Sequence, residues 1–506
     1  MTQASSQPSS PAPHIVVSGA GVCGLYAART LVERGFRVTV LEKEAMVGGL
    51  AAGHQRAGNF YDLGVHHLHA FDQGIFEDIR AIMGEQLIPS EKVALIRYGR
   101  GYRRYPLEFM DLLTGIPPWT LFRALVGLTW QQLLNKRLKT EPANAEEALI
   151  RLYGKPLYGF FFRDFTHRYW GFPPTELSAT FVRNKMPRLS AVDFVKKALG
   201  RLGMKEEAGE TVEGAMARET LWYSRTGSRE MPMALGDFVR ARGGRVLTEA
   251  PLTAVETEGR RVLAVRHALP GGGEARLECD ALINTVPLNL FVKAFEPAPP
   301  ATVLEASGRL RYRPMVVYGL LVRRERVLSA LFVYFRERIF HRIAEPSASG
   351  MEVHPAGHTV LLCELMCEVG DDRWQGGEES RRRLVADLAA EDLLREDEIV
   401  ETHLIHCYHA YPVFALGFEP HVETLKAFVG GFDNLLSVGR QGAFCFPNMH
   451  GAMRMGADAA GEIEGLLRPE PQAAASPAVL VGGEDPGIYV PDGDMPAALN
   501  PAGSAS

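Results

Sequence analysis

The sequence predicts an α/β fold that opens with a nucleotide-binding βαβ unit. An apolar run over residues 14–18 leads directly into the pattern Gly19-x-Gly21-x-x-Gly24, and the next apolar run, 37–41, ends at Glu42. A buried strand, a glycine-rich turn, a helix and a second strand that ends in a carboxylate are the parts of a dinucleotide site. These observations predict a Rossmann-type unit at the start of the fold.

Each glycine of this pattern has its own expected task. Gly19 permits the tight turn from strand to helix, Gly21 lets a pyrophosphate approach the backbone, and Gly24 lets the helix pack closely on the strand. The backbone N–H groups of Val22 and Cys23, at the start of that helix, are expected to receive the phosphates.

Glu42 completes the unit. It follows a predicted helix over 25–34 and closes the second strand 18 residues after Gly24. At that point a carboxylate can accept hydrogen bonds from a ribose. Because strand, helix and acidic residue all stand where a nucleotide requires them, a chance glycine turn is the weaker interpretation.

Length and composition favour a large globular protein. The chain has 506 residues, of which 46% are hydrophobic, so we expect two interleaved domains. The net charge of −5 offers no general attraction to nucleic acid or to an anionic membrane. Six scattered cysteines suit buried thiols in a reducing cytosol better than a disulfide framework. We therefore expect a cytoplasmic protein that binds a small molecule and no nucleic acid, with its oligomeric state open.

The order of predicted elements divides the chain into pieces of these domains. Strand-like segments resume near residue 243 after a helix-rich, aromatic stretch, and a Pro- and Gly-rich turn at 270–273 joins two of them. The two ends are rich in Pro, Ser and Ala, which is typical of disorder. The predicted pieces are a disordered leader 1–13, a nucleotide-binding domain built from 14–70, 223–287 and 431–468, a helical insertion 71–222, a mixed-sheet substrate domain 288–430 and a disordered tail 469–506.

One apolar segment, 112–134, lies inside the predicted insertion. Pro117-Pro118 and Arg123 interrupt it, so it lacks the ~20 uninterrupted apolar residues of a spanning helix. We predict an amphipathic helical pair whose apolar face belongs to the core. Peripheral docking of that face on a membrane is the alternative that we favour less.

A second glycine-rich motif lies near the carboxyl-terminal end. A strand-like run over 434–438 enters Gly439-Arg440-Gln441-Gly442, and a helix is predicted over 451–467 after Asn448-Met449. A strand that ends in such a loop can bring backbone N–H groups to a phosphate, and the following helix start favours negative charge. Gly439, Arg440, Asn448 and Met449 are therefore predicted cofactor contacts.

The segments after Glu42 carry a resemblance to a known family. They read Lys43-Glu44-Ala45-Met46-Val47-Gly48-Gly49-Leu50 and Tyr61-Asp62-Leu63-Gly64-Val65-His66. This spacing resembles the glutathione-reductase-type FAD fold as used by amine oxidases, phytoene-type desaturases, protoporphyrinogen oxidases and UDP-galactopyranose mutases. The resemblance implies an FAD-binding Rossmann fold interleaved with a mixed-sheet substrate domain and a helical insertion.

The resemblance also implies which residues lie beside FAD. In that family the double glycine passes the phosphates and the ribityl arm, and the DxGxH segment runs by the isoalloxazine. An aliphatic residue on a later strand meets the adenine. The implied contacts are Lys43, Gly48, Gly49, Leu50, Gly64, His66 and Leu252, with Leu50 standing where many members carry an arginine.

His66 is the candidate catalytic residue. An imidazole can accept or donate a hydrogen bond and can change charge near neutral pH, so it could tune the flavin or take a proton from substrate. Two further histidines, His67 and His69, follow closely, but an alternating strand would divide the three between two faces. We therefore predict no metal site.

Substrate contacts are suggested by motifs that resemble the mutase branch of the family, at 165–171 and 310–313. These motifs supply Trp170, Arg311 and Arg313. We add Tyr411, which lies near the end of a strand-like run. Arg311 and Arg313 alternate on one predicted strand and so share a face, where two guanidinium groups could hold a phosphate or carboxylate. A solvated basic face is an equal alternative.

The expected function is that of an FAD-dependent oxidoreductase, which transfers a hydride from a small organic substrate to flavin. The alternative is a redox-neutral nucleotide-sugar mutase, favoured by Arg440, His66, Trp170 and the paired arginines. Against it, Phe444 and Phe446 stand where mutases usually show tyrosines, and phenylalanine cannot hydrogen-bond a diphosphate. A non-catalytic flavin-binding protein is a third hypothesis.

Overall fold

The computed structural model describes residues 12–64, 66–91, 93–98, 101–104, 118–135, 140–180, 182 and 220–468. Most of the predicted leader, the whole predicted tail and much of the predicted insertion lie outside these residues. The described part is an α/β structure with one parallel sheet, two mixed sheets and two two-stranded antiparallel sheets, which confirms the predicted fold class.

The strands and the longer helices are numbered here in chain order. The strands are β1 His14–Ser18, β2 Arg37–Leu41, β3 Gly53–Arg56, β4 Asn59–Asp62, β5 Leu87–Glu91, β6 Ala94–Tyr98, β7 Gly101–Arg104, β8 Thr220–Ser224, β9 Arg245–Leu247, β10 Leu252–Glu258, β11 Arg261–Ala268, β12 Glu274–Glu278, β13 Ala281–Asn284, β14 Phe295–Glu296, β15 Arg311–Val322, β16 Phe332–Tyr334, β17 Arg342–Ala344, β18 Thr359–Met366, β19 Ile399–Val413 and β20 Leu435–Ser437. The helices are α1 Val22–Glu33, α2 Gln73–Met83, α3 Pro118–Asn135, α4 Ala145–Leu157, α5 Arg163–Trp170, α6 Glu230–Ala241, α7 Ala301–Arg309, α8 Glu378–Ala390, α9 Glu419–Val429 and α10 Met449–Leu467.

The parallel sheet collects strands from distant parts of the chain. Its order is β20-β13-β1-β2-β9, and each neighbouring pair runs parallel. Ile15, Val16 and Val17 of the central strand are fully buried, as a strand covered on both faces requires. Helices α1, α6 and α10 pack together beside it. The sequence predicted these strands closely, and the first helix begins at Val22 rather than at residue 25.

Two mixed sheets lie outside this unit. One has the order β12-β11-β10-β14, and the predicted turn at 270–273 joins β11 to β12. The other has seven strands in the order β19-β15-β18-β17-β16-β6-β7. Strands β6 and β7 come from the predicted helical insertion 71–222, so the expectation that this range is helical is wrong for that part.

Two further differences concern the predicted site and the apolar segment. Residues 66–69 do not form an alternating strand, because only Leu68 makes a single bridge, to Trp222. The described part of segment 112–134 forms one helix, α3, and residues 105–117 lie outside the description. Among the described residues, no helix has both the length and the apolar character to cross a membrane.

Candidate active site

The turn from β1 into α1 has the geometry of a phosphate-binding loop. Gly19 adopts a φ of +100°, and a Cβ atom on Gly24 would lie 2.1 Å from the Gly19 carbonyl oxygen, so neither tolerates a side chain. A Cβ on Gly21 would meet open space instead. Gly21 caps α1 without a side-chain hydrogen bond, which leaves the first N–H groups, including those of Val22 and Cys23, for a ligand.

A second glycine turn closes onto this loop. Gly48 and Gly49 both have positive φ values, and Gly48 N–H donates to the Ala20 carbonyl over 2.8 Å. A Cβ on Gly49 would lie 3.2 Å from the Gly21 Cα atom. Leu50 follows, half-buried. The two glycine turns therefore form one backbone cradle, which fits the phosphates of a dinucleotide.

Glu42 lies buried beside the cradle, at the end of β2. Its carboxylate accepts hydrogen bonds from the backbone N–H groups of Ala20 at 2.9 Å and Glu44 at 3.0 Å. Burial raises the pKa of Glu42 despite these bonds. The neighbouring Lys43 side chain is exposed and pairs with Glu44. Leu252, at the start of β10, lies two residues after Ala250, whose N–H donates to the Glu42 carbonyl over 2.8 Å.

We expect Glu42→Ala to weaken retention of a dinucleotide at least about tenfold. The substitution removes charge-assisted hydrogen bonds, each worth roughly 1.5–3 kcal/mol, and it leaves two backbone donors unpaired. Equilibrium dialysis of the released nucleotide measures the effect. Glu42→Gln, which keeps an acceptor, should lose less, and equal retention in parent and Glu42→Ala would show that the carboxylate does not hold the ligand.

The carboxyl-terminal glycine loop packs against the same cradle. Gly439 has a φ of +79°, and a Cβ there would lie 2.8 Å from the Cys23 Sγ atom. Helix α10 then crosses α1 so closely that a Cβ on Gly456 would lie 2.3 Å from the Cys23 carbonyl oxygen. Asn448 caps α10 from an exposed position, and Met449 follows half-buried. The two predicted phosphate loops thus meet in space.

The Asp62-Leu63-Gly64 segment carries His66 to a buried charge pair. Gly64 adopts a φ of +120°, and a Cβ there would lie 2.8 Å from an oxygen of Glu364. Glu364 is fully buried and receives two 2.8 Å hydrogen bonds from the Arg342 guanidinium. His341 Nε2 lies 3.1 Å from the same carboxylate. Burial opposes ionisation of Glu364, but the charges and hydrogen bonds of Arg342 and His341 together outweigh it and lower the pKa of Glu364 to about 2.

His66 is held neutral in these surroundings. Its Nδ1 atom lies 3.3 Å from the Gly64 carbonyl oxygen. Burial, with the charges of Arg342 and Arg440, lowers its pKa to about 4. The neighbouring His67 points elsewhere, because its Nε2 atom lies 2.7 Å from Ser349 Oγ. Val65, between Gly64 and His66, lies outside the described residues.

The depressed histidine pKa values predict a pH-dependent stability. Burial, with charges nearby, lowers the pKa of His66 to about 4 and that of His67 to about 3, whereas an unfolded histidine titrates near ~6.5. Between these values the unfolded chain binds more protons, so stability falls as pH drops from about 6.5 to about 4. Melting temperatures across this range should fall less steeply in His67→Gln than in the parent, and identical slopes would contradict the assignment.

Aromatic side chains and Arg440 form the next wall. Tyr411 and Phe446 stack with ring centroids 5.1 Å apart, and the Arg440 guanidinium carbon lies 4.0 Å from the Phe446 centroid. Arg440 also donates to the Ala410 carbonyl over 2.9 Å, while its buried Nε has no hydrogen-bond partner. Tyr169 and Trp170 of α5 contact Tyr411 at centroid distances of 5.4 and 6.1 Å. The structure therefore brings the predicted substrate contacts Trp170 and Tyr411 and the predicted cofactor contact Arg440 into one wall.

Arg311 and Arg313 do not share the site in the way predicted. Arg311 is exposed beside Phe172, on an open cavity of about 490 Å³ that also carries Glu305. Arg313 is buried, and its guanidinium donates to Glu368. The prediction of a joint anion site is wrong because the buried guanidinium of Arg313 already pairs with the exposed carboxylate of Glu368, while the guanidinium of Arg311 faces solvent.

Sequence reasoning missed Glu364, Arg342, His341 and Tyr169. The sequence offered one indication for Glu364, which is the only charged residue in the eight-residue, largely apolar strand β18. A buried charge of this kind demands a partner. Arg342 is its direct cross-strand neighbour on β17, but the sequence pattern alone does not pair the two strands.

Comparison with known proteins agrees with this geometry. The family model for flavin containing amine oxidoreductases matches residues 22–463. A zeta-carotene-forming phytoene desaturase from Myxococcus xanthus is 26% identical over 344 residues, which cover 64% of this chain and 63% of that protein. A probable UDP-galactopyranose mutase from Klebsiella pneumoniae is 24% identical over 187 residues, covering 36% of this chain and 47% of that protein. The chain thus spans less than two-thirds of the length of these curated relatives.

Solved structures share the fold across nearly the whole chain. Reduced UDP-galactopyranose mutase superposes with a TM-score of 0.72 at 18% identity, covering 90% of this chain and 94% of that one. A putative protoporphyrinogen oxidase from Exiguobacterium gives 0.64 at 15% identity, covering 89% and 98%. The cofactor of the matched family is FAD. With the family match spanning most of the sequence and the residues of the cradle in place for that cofactor, the chain belongs to the flavin-containing amine oxidoreductase family.

Proposed function

We propose that the protein oxidises a small, apolar organic substrate by transfer of a hydride from carbon to FAD. The observation that carries this proposal is the aromatic wall of Tyr169, Trp170, Tyr411 and Phe446. The wall and His66 have the same two cationic neighbours, Arg342 and Arg440. When bound, FAD supplies the acceptor for the electron pair. The protein's share is to bind and orient the substrate and to manage the proton.

Charge in the wall argues against an amine substrate. Arg440 carries no carboxylate partner among its described contacts, and the buried Glu364 is already held by Arg342. An ammonium group entering this wall would meet the positive charge of Arg440 in a poorly solvated setting, where the repulsion is strong. A neutral substrate pays no such penalty, and aromatic rings favour a flat or conjugated one.

His66 is placed to receive a proton at Nε2. Because Nδ1 lies beside the Gly64 carbonyl oxygen, the ring hydrogen belongs on Nδ1 and the lone pair on Nε2. Removing a hydride from one carbon makes the C–H bond of its neighbour strongly acidic, so an imidazole with a pKa of about 4 suffices as base. Hydride and proton together leave a carbon–carbon double bond. This is a desaturation, the activity named for the Myxococcus relative.

A redox-neutral action on a nucleotide sugar is the second candidate. The positive charge of Arg440 favours an anionic diphosphate. Phe444 and Phe446 weigh against it, because Phe444 packs among Tyr312, Phe414 and Phe418 and neither ring has a hydroxyl to donate.

Anaerobic reduction of the bound flavin separates the two candidates. The purified, yellow protein is mixed with apolar alkenes and polyenes in detergent, with primary amines, and with UDP-sugars, while flavin absorbance is followed. We expect bleaching by a member of the first group only. Bleaching by amines would overturn the proposed substrate class. Ring interconversion of a UDP-sugar after dithionite reduction would establish the mutase instead.

A further inference from the structure

Helix α3 exposes five large apolar side chains. Trp119, Phe122, Val126, Trp130 and Leu133 are 68, 55, 53, 64 and 55% exposed. At 3.6 residues per turn these five fall within about 80° of the helix circumference and extend over about 21 Å. We call them the Trp119–Leu133 stripe. The expectation that the apolar face of this segment belongs to the core is therefore wrong for these residues.

The opposite face of α3 is the one that packs. Ala124 and Leu128 are buried against α4. A Cβ on Gly127 would lie 2.6 Å from the Pro156 ring, and Gly154, with a φ of +75°, lets the two backbones approach. Near the end of the helix, Asn135 donates to the Arg151 carbonyl over 2.7 Å. Among the described side chains of α3, Ala124 and Leu128 are thus buried while both tryptophans face outwards, the reverse of an ordinary surface helix.

The charged residues in the sequence of α3 and its flanks are all basic. Arg123 is exposed beside it. From residue 112 to residue 140 the sequence has four basic residues and no acidic one, although the whole chain carries a net charge of −5. The basic residues after the helix, Lys136, Arg137 and Lys139, lie outside the described part of the chain. Tryptophans with aliphatic side chains on one face and cations beside them are the composition of a helix that lies in a bilayer interface.

We propose that the Trp119–Leu133 stripe docks this protein on the surface of an anionic lipid bilayer. The stripe enters the boundary between headgroups and acyl chains, where the amphipathic indole rings of Trp119 and Trp130 are most stable. Arg123 lies at the headgroup level and pairs with lipid phosphates. A second copy of the chain would bury the same apolar side chains but gives no reason for the excess of positive charge.

Vesicle sedimentation of the full-length holoprotein tests this proposal. Phosphatidylcholine vesicles are compared with vesicles that also contain phosphatidylglycerol. We expect the parent to sediment with the anionic vesicles, and Trp119→Ser/Trp130→Ser to bind at least tenfold more weakly. Arg123→Gln should weaken binding about fivefold on anionic vesicles only. The matched control is Val369→Ser/Leu466→Ser, which removes apolar side chains that are 58 and 50% exposed elsewhere and should bind as the parent does.

Fluorescence of the parent gives a measurement that does not depend on a variant. Of the five tryptophans, Trp170 and Trp374 are buried, whereas Trp119 and Trp130 are the most exposed. Brominated acyl chains should therefore quench the parent's emission. Absence of quenching, or equal sedimentation of the parent and the double tryptophan variant, would overturn the proposal. So would a dimer in light scattering that Trp119→Ser/Trp130→Ser converts to a monomer, since a second copy then covers the stripe.

Discussion

Glu364→Ala is expected to lower the free energy of unfolding by about 3–5 kcal/mol, the usual cost of removing one partner of a buried ion pair. The carboxylate is fully buried and accepts two hydrogen bonds from Arg342, with His341 at 3.1 Å. Its loss leaves the Arg342 charge without compensation inside the fold. Urea denaturation followed by circular dichroism measures the change.

The matched control for Glu364→Ala is an exposed ion pair of the same residue types. Glu379 and Arg382 lie on the surface of α8, 2.6 Å apart, with side chains that are 65 and 68% exposed. Glu379→Ala should leave the denaturation midpoint almost unchanged, because solvent already screens such a pair. If Glu364→Ala and Glu379→Ala unfolded at the same urea concentration as the parent, the pair with Arg342 would contribute nothing to stability.

His66→Ala is expected to slow flavin reduction by substrate about 10- to 1,000-fold while most of the FAD stays bound. The upper part of this range, from about 100-fold, is what general acid–base assistance usually supplies. The cradle at Gly21, Gly48 and Gly49 does not involve the imidazole, so cofactor retention should persist. Stopped-flow absorbance under anaerobic conditions measures the rate, and the ratio of flavin to protein absorbance measures retention.

His67→Ala is the control for His66→Ala. Its imidazole contacts Ser349 and the ring of Tyr223, at a centroid distance of 4.8 Å, and the charge of Arg440 acts on His66 rather than on His67. We expect its rate of flavin reduction to change by less than about threefold, although its stability falls. Equal rates in parent and His66→Ala would remove His66 from catalysis and leave it a structural neighbour of the site.

The amino-terminal unit was predictable because its information is local. The turn at Gly19, the helix start and the carboxylate of Glu42 follow one another along the chain, and Gly19 and Gly24 stand where a side chain would not fit. The carboxyl-terminal loop was predictable for the same reason. In both places the spacing of the glycines predicts the backbone geometry without any contact from a distant part of the chain.

The rest of the site depends on pairings between distant strands. Glu364 and Arg342 face each other across β18 and β17, and the aromatic wall draws on α5, β19 and the loop after Gly439. Sequence periodicity states which residues are apolar but not which element lies opposite. The same limit explains α3, whose apolar stripe reads as core until the packing of Ala124 and Gly127 shows which face is inside.

The strand order of the parallel sheet also has a consequence for folding during synthesis on the ribosome. Strand β1 is made first, but β20 and the Gly439 loop that touch this unit come from the far end of the folded chain. At synthesis rates of roughly 5–20 residues per second, the ribosome needs on the order of 20–80 seconds to deliver them. Until then the nascent nucleotide-binding half lacks its last strand and the loop that packs on Cys23. We therefore expect tight FAD binding only after this strand and loop have been added, so that the yellow colour would report completed chain assembly.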